Sequence, residues 1–278
     1  MQEKIIQPLD CTGIFDSHAH YFDTRFEEET EGADVILARD VFGSGIVGVI
    51  NIGTNNQTSR LCVEQAAKYQ GMYASVGIHP EDIEYCKGTI DEELAALEEL
   101  ISDKQKRKEK KIVAIGEIGL DYHYEGFDKA LQQEYFERQL AMAQRLDMPV
   151  IIHDRDAHGD CFETVIKYPG VRGVFHSFSG SAEMAKELVK RGWYISFSGV
   201  LTFKNARKCV EVAEVVPLEK ILIETDCPYL APHPFRGKIN HSGYMRLIAE
   251  KLSEIKGISC DEAIAATAKN TEQLFDIN

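Results

Sequence analysis

The sequence lacks a CxxC pair: its seven cysteines, Cys11, Cys62, Cys86, Cys161, Cys209, Cys227 and Cys260, are scattered and odd in number. That argues against a disulfide framework and a structural zinc knuckle, and leaves reduced thiols of a cytosolic protein as the expectation. No stretch approaches the ~20 apolar residues of a membrane span, and residues 1–6 lack the basic region and long apolar run of a secretory leader. A cytoplasmic location with no membrane partner is therefore expected. Repeats, low-complexity segments and linker-like stretches are missing as well, and nothing marks an obligate protein partner. Positive charge is scarce, with 31 Lys and Arg against 45 Asp and Glu and a net charge of −14. Such a balance disfavours non-specific adhesion to nucleic acid, although it leaves room for a nuclease whose metal ions neutralise the phosphate locally. The single tryptophan, Trp193, opens an apolar run and reads as packing.

What is present is enough apolar material for a large core, 44% of 278 residues, and a single domain over 1–278 is expected. Short apolar runs bounded by turn residues recur at 13–20, 45–53, 73–79, 112–119, 149–153, 174–176, 194–198 and 221–226, and read as eight strands. Helical periods lie between them at 56–69, 91–103, 158–167, 181–192 and 205–215, with the clearest running from Asp128, a plausible N-cap, to Leu146 before Pro149. Two more follow the last strand, at 243–255 and 260–269. Apolar strands alternating with helices predict a parallel sheet, and eight such units predict an α/β (β/α)8 TIM barrel. The one basic run, at 104–111, leads into the fourth strand and reads as a solvated loop on the face remote from the strands' C-terminal ends. The acidic stretch 27–31 follows the first strand and would repel a long polyanion near that end.

His18 and His20 stand two residues apart on one strand, so their imidazoles share a face. His79, Glu117, His153, His176 and Asp226 end other strands. Any one of these has an ordinary reading as a hydrogen-bonded strand end or turn cap. Together they are different, because a barrel gathers the C-terminal ends of its strands into one cup. Five imidazoles and two carboxylates exceed one tetrahedral shell, and a carboxylate can bridge two ions, so the set predicts a two-metal hydrolytic centre bridged by Glu117.

The motifs Phe15-Asp16-Ser17-His18-Ala19-His20, Gly116-Glu117-Ile118-Gly119-Leu120-Asp121-Tyr122, Pro149-Val150-Ile151-Ile152-His153-Asp154-Arg155, His176-Ser177-Phe178-Ser179-Gly180 and Glu224-Thr225-Asp226-Cys227-Pro228-Tyr229-Leu230-Ala231-Pro232 follow one another in order. In these the chain resembles the TatD-related metal-dependent hydrolases, amidohydrolase-like barrels often described as deoxyribonucleases. The resemblance implies that His18, His20, Glu117 and Asp226 surround one divalent ion and that Glu117, His153 and His176 hold a second. Mg²⁺, Mn²⁺, Zn²⁺ and Fe²⁺ all suit such ligands. It further implies that Asp226 orients the attacking water and takes up its proton, with Glu117 completing the catalytic pair. His79, Arg155, Arg236 and Lys238 would face the substrate, DNA or another phosphodiester. The implied activity is exonuclease-like hydrolysis of short or single-stranded DNA. Two alternatives stay open: hydrolysis of a lactone, cyclic amide or ester on the same barrel, and a catalytically idle metal-binding protein. Ser177 where a cysteine is frequent, Glu81 where many relatives carry another histidine, and Asn240-His241-Ser242-Gly243 depart from the common pattern, at substrate contacts rather than ligands.

Overall fold

The computed structural model describes residues 9–277; residues 1–6, read above for a leader, lie outside the described residues. Eight strands form one sheet in sequence order: β1 (Phe15–Ala19), β2 (Gly48–Ile52), β3 (Met72–Val76), β4 (Ile112–Asp121), β5 (Val150–Arg155), β6 (Gly173–Phe175), β7 (Tyr194–Phe197) and β8 (Ile221–Ile223). Every neighbouring pair is parallel, helices fill the crossovers, and β1 meets β8. The chain is a (β/α)8 TIM barrel.

The seam between β8 and β1 differs from the other joints. Its main-chain contact is a single bridge, Ala19 to Cys227, flanked by two backbone hydrogen bonds at the top. Below it, side chains do the joining. The buried Asp16 carboxylate accepts from the Thr225 N–H (3.0 Å) and hydroxyl (2.6 Å) and from the Ser242 hydroxyl (2.6 Å), and the Ser17 hydroxyl donates to the Ile223 carbonyl (3.0 Å).

Strand bodies bury both faces, as a covered parallel sheet requires. Phe15, Ile50, Ile52, Ala114, Ile151 and Val174, with Leu222, fill the barrel interior as a cluster of their own, joined by Leu274 and Phe275 of the last helix, Cys260–Phe275. The interior is thus a packed plug. Trp193 is buried edge-on against Phe175.

The helices start where local chemistry lets them. Asp128 accepts from the amides of Ala130 and Leu131 to open Lys129–Leu146, and capping boxes at Asn55, Thr89 and Ser259 open three others. Three segments depart from the sequence reading. The basic run lies in a short helix, Lys104–Glu109, because Asp103 caps it. The last helix continues past residue 269 to Phe275, where its apolar residues meet the barrel plug. After β1 the chain forms helices Arg25–Glu29 and Ala33–Ile36, and the acids there are engaged locally: Glu29 pairs with Arg25, Glu31 with Arg39, and Glu27 accepts from the Ala33 amide. All seven cysteines are free thiols. Among the described residues no helix is long and apolar enough to cross a membrane.

Candidate metal centre

The strands' C-terminal ends open into a cup of about 880 Å³, walled in part by His20, His79, Glu117, His153, His176 and Asp226. His18 lies beneath them, fully buried. Local irregularities aim two of these groups. The β1–β2 register shifts between Asp16 and Ala19, and the β4–β5 register shifts between Ile115 and Ile118. Such bulges re-aim side chains, here His18 and Glu117. Gly116 makes the second one possible, since a Cβ there would stand 2.7 Å from that of Ile151.

Two donor sets meet at Glu117. On one side His18 Nε2 and His20 Nε2 face each other at 3.0 Å, lie 3.3 and 3.6 Å from Glu117 Oε2, and 3.6 and 3.3 Å from Asp226 Oδ1. On the other, His153 Nδ1 and His176 Nε2 are 3.2 Å apart and 2.8 and 2.7 Å from Glu117 Oε1. Lone pairs of two imidazoles pointed at each other repel unless a proton or a cation lies between them. Ligands about 2.1 Å from a tetrahedral ion sit roughly 3.4 Å apart, so the spacings suit an ion as well as a proton. Imidazole nitrogens plus carboxylate oxygens are a donor set for divalent transition metals and, with water, for Mg²⁺. The residues fit the ions the sequence implies.

The remaining ring nitrogens fix the tautomers. His20 Nδ1–H donates to the Ile52 carbonyl (3.0 Å), His153 Nε2–H to Asp121 Oδ2 (2.8 Å), and His176 Nδ1–H to Glu224 Oε1 (3.2 Å). Each ring is thereby held with its other nitrogen toward the cup, the arrangement that orients metal-binding histidines. His18 Nδ1 is buried without a partner.

The electrostatics ask for positive charge. Burial would raise the Glu117 carboxyl, but the imidazoles of His176 and His18 outweigh it and hold Glu117 well below the usual range. Asp226 is lowered against its burial in the same way, by His20 and His18. Burial works against protonating His153, yet Asp121 and Glu117 push it up to about 9, and His176 rises well above its ordinary value through Glu117 and Glu224. Without ions, protons on these rings balance the buried carboxylates.

His79 behaves differently. Its Nδ1 accepts from the Glu81 amide (3.2 Å), and burial with the neighbouring His153 drives it down to about 3. With Nδ1 accepting from that amide, a neutral ring carries its proton on Nε2, which faces Glu117 Oε1 at 3.6 Å.

Arg155 lines the cup, 3.8 Å from Glu81, 3.9 Å from Asp121 and 5.1 Å above the Tyr124 ring. Arg236 and Lys238 stand on the exposed loop after Pro232, outside the cup wall, and the Arg236 guanidinium lies 4.5 Å over Phe203. Lys208, Asn205, Ser177 and Ser198 occupy the wall instead. Sequence reasoning assigned no role to Lys208, Asn205 or Ser198, marked Ser177 only as a departure from the family pattern, and quoted Asp121 and Glu224 only as motif members. The available signal was that both carboxylates sit in strand-end motifs beside ligands.

The profile of the family described as TatD related DNase matches residues 15–276. The chain is 39% identical over 272 residues, 95% of its length and 100% of the relative's, to the uncharacterized metal-dependent hydrolase YabD of Bacillus subtilis. It is 33% identical over 267 residues, 95% of the chain and 96% of the relative, to the uncharacterized metal-dependent hydrolase YcfH of Escherichia coli. Among solved structures it resembles YJJV, a TatD homolog from Escherichia coli, with a TM-score of 0.86, 30% identity, and coverage of 96% of this chain and 99% of that one.

Proposed function

Since the chain belongs to the TatD-related DNase family of metal-dependent hydrolases, we propose that it hydrolyses phosphodiesters, as a deoxyribonuclease acting exonuclease-like on short or single-stranded DNA in the cytoplasm. The observation that carries this reading is the shared carboxylate: Glu117 offers Oε2 to His18 and His20 and Oε1 to His153 and His176. His18, His20, Glu117 and Asp226 would hold one divalent ion, and Glu117, His153 and His176 a second. Mg²⁺, Mn²⁺ or Zn²⁺ bound there supplies an acidified water and charge neutralisation of the phosphoryl group.

The chain's own groups do the rest. Asp226, kept ionised by His20 and His18, orients the water and accepts its proton. Arg155 pairs with the non-bridging oxygens, a geometry its planar fork favours, and the His79 Nε2–H donates to the same group. Asp23, Glu81 and Asp82 on the wall repel neighbouring phosphates, which suits a strand end better than the body of a duplex.

The test is a short single-stranded DNA labelled at either end, incubated with Mg²⁺ or Mn²⁺. Progressive shortening from one end is expected, and Asp226→Asn should lower kcat by roughly a hundredfold or more. An inert wild type that turns over a lactone or cyclic amide panel would overturn the phosphodiester assignment.

A further inference from the structure

Two tyrosines at the mouth of the cup take no part in this chemistry. Tyr124 and Tyr229 both line the cavity and keep 51% and 46% of their surface exposed. A ring left half in water forgoes much of the burial that stabilises other aromatics. Both are nevertheless held in place. The Arg155 guanidinium sits 5.1 Å over Tyr124, and His123 packs edge-on against it at 4.9 Å. Arg155 is in turn 3.9 Å from Asp121, whose carboxylate orients His153. The Tyr229 hydroxyl donates to Asp23 (2.8 Å), Arg25 lies 5.5 Å over its ring, and its amide donates to the Asp226 carbonyl (3.0 Å). Each ring thus carries a cation over it, keeps about half of its surface open, and is tied through a short chain to a group at the metal centre.

Their placement follows from the topology. Tyr124 follows β4 and Tyr229 follows β8, and in a barrel ordered β1 to β8 these strands stand opposite each other. The donor sets around Glu117 lie between them. A phosphodiester held at that centre extends a nucleoside to either side, and every base offers a π-face to a ring, whatever its sequence. We infer that Tyr124 and Tyr229 are base-stacking platforms, one for the nucleoside on each side of the scissile phosphate, so that the smallest full substrate is a dinucleotide. The inference rests on the phosphodiester reading above.

The experiment uses the metal-loaded protein with dTpdT and two analogues in which one or the other thymine is replaced by hydrogen. In the wild type each missing base should raise KM by roughly tenfold to a hundredfold. Tyr124→Leu should abolish the penalty for one base and Tyr229→Leu that for the other, while Tyr124→Phe keeps it. Calorimetry with an uncleavable methylphosphonate dinucleotide should give the same pattern in Kd. The comparison within the wild type stands whether or not the leucine variants fold. Equal KM for all three substrates in the wild type overturns the platforms and leaves the phosphodiesterase intact, as does an equal loss across the three in both variants. No cleavage of these substrates or of any longer strand removes the phosphodiester reading, and the platforms with it.

Discussion

Behind His176 stands Glu224, fully buried, with one oxygen accepting from the His176 Nδ1–H (3.2 Å) and the Ser177 amide (2.7 Å) and the other without a partner. A carboxylate so placed is costly unless something uses its charge, and here it sets the tautomer and raises the basicity of a ligand. Glu224→Ala should weaken Mn²⁺ binding by about ten- to a hundredfold in equilibrium dialysis; unchanged affinity would mean that packing alone holds His176. His241 illustrates a residue the fold keeps uncharged. It is buried against Tyr244 with Nδ1 unpartnered, and burial, little offset by Asp40, pushes it down to about 4. The unfolded chain takes up this proton near pH 6.5 and the native state refuses it, so the contribution is full above pH 6.5 and is lost as pH falls toward 4. Between pH 7 and pH 5 the wild type should lose on the order of 2 kcal/mol more than His241→Gln in urea unfolding. The candidate ligands were legible in the sequence because each is a polar group in or just beyond an otherwise apolar run, although Glu117 lies inside β4 (Ile112–Asp121) and not at its end. Glu224 and Asp121 were not, since nothing in a motif tells a ligand from the carboxylate that steadies it. Arg236 was placed at the substrate by the resemblance alone, and nothing in the sequence announces that its guanidinium lies over Phe203.

The element that matters most is β4, ten residues long where β1 has five. Its ladder with β5 slips between Ile115 and Ile118, and the slip turns Glu117 into the cup. Gly116→Ala would press a methyl against the Ile151 Cβ, 2.7 Å away. It should destabilise the protein by about 1–3 kcal/mol and lower metal stoichiometry, read by thermal melting and elemental analysis. Normal metal content in a folded variant would show that the bulge tolerates a side chain. The strand itself was visible as an apolar run, but its bulge was not, because a continuously apolar strand has no alternation to be interrupted. The helix Lys104–Glu109 escaped notice for the opposite reason. It buries no residue, so no apolar period could announce it, and its Asp103 cap is a local event that period-counting overlooks.

At the scale of the molecule, the barrel was legible because eight apolar runs and their intervening helices repeat one unit, and that unit has few ways to close. Closure itself was not legible, since it depends on which side chains meet at the last joint. Along the strands' shared edges, seven joints are main-chain ladders, while the eighth relies on Asp16, Thr225, Ser242 and Ser17 below the Ala19 to Cys227 bridge. A ring with one such latch can open without unravelling. In native-state hydrogen exchange, amides of β4 and β5 should exchange only through global unfolding, whereas those of β1 and β8 should exchange sooner, through a partial opening that leaves the middle strands paired. Asp16→Ala should widen that gap, and equal protection around the whole ring would rule the opening out. Because His18 and His20 sit on one side of the latch and Asp226 on the other, the same excursion parts three of the four groups assigned to the first ion. Metal exchange would then be timed by the breathing of the barrel itself.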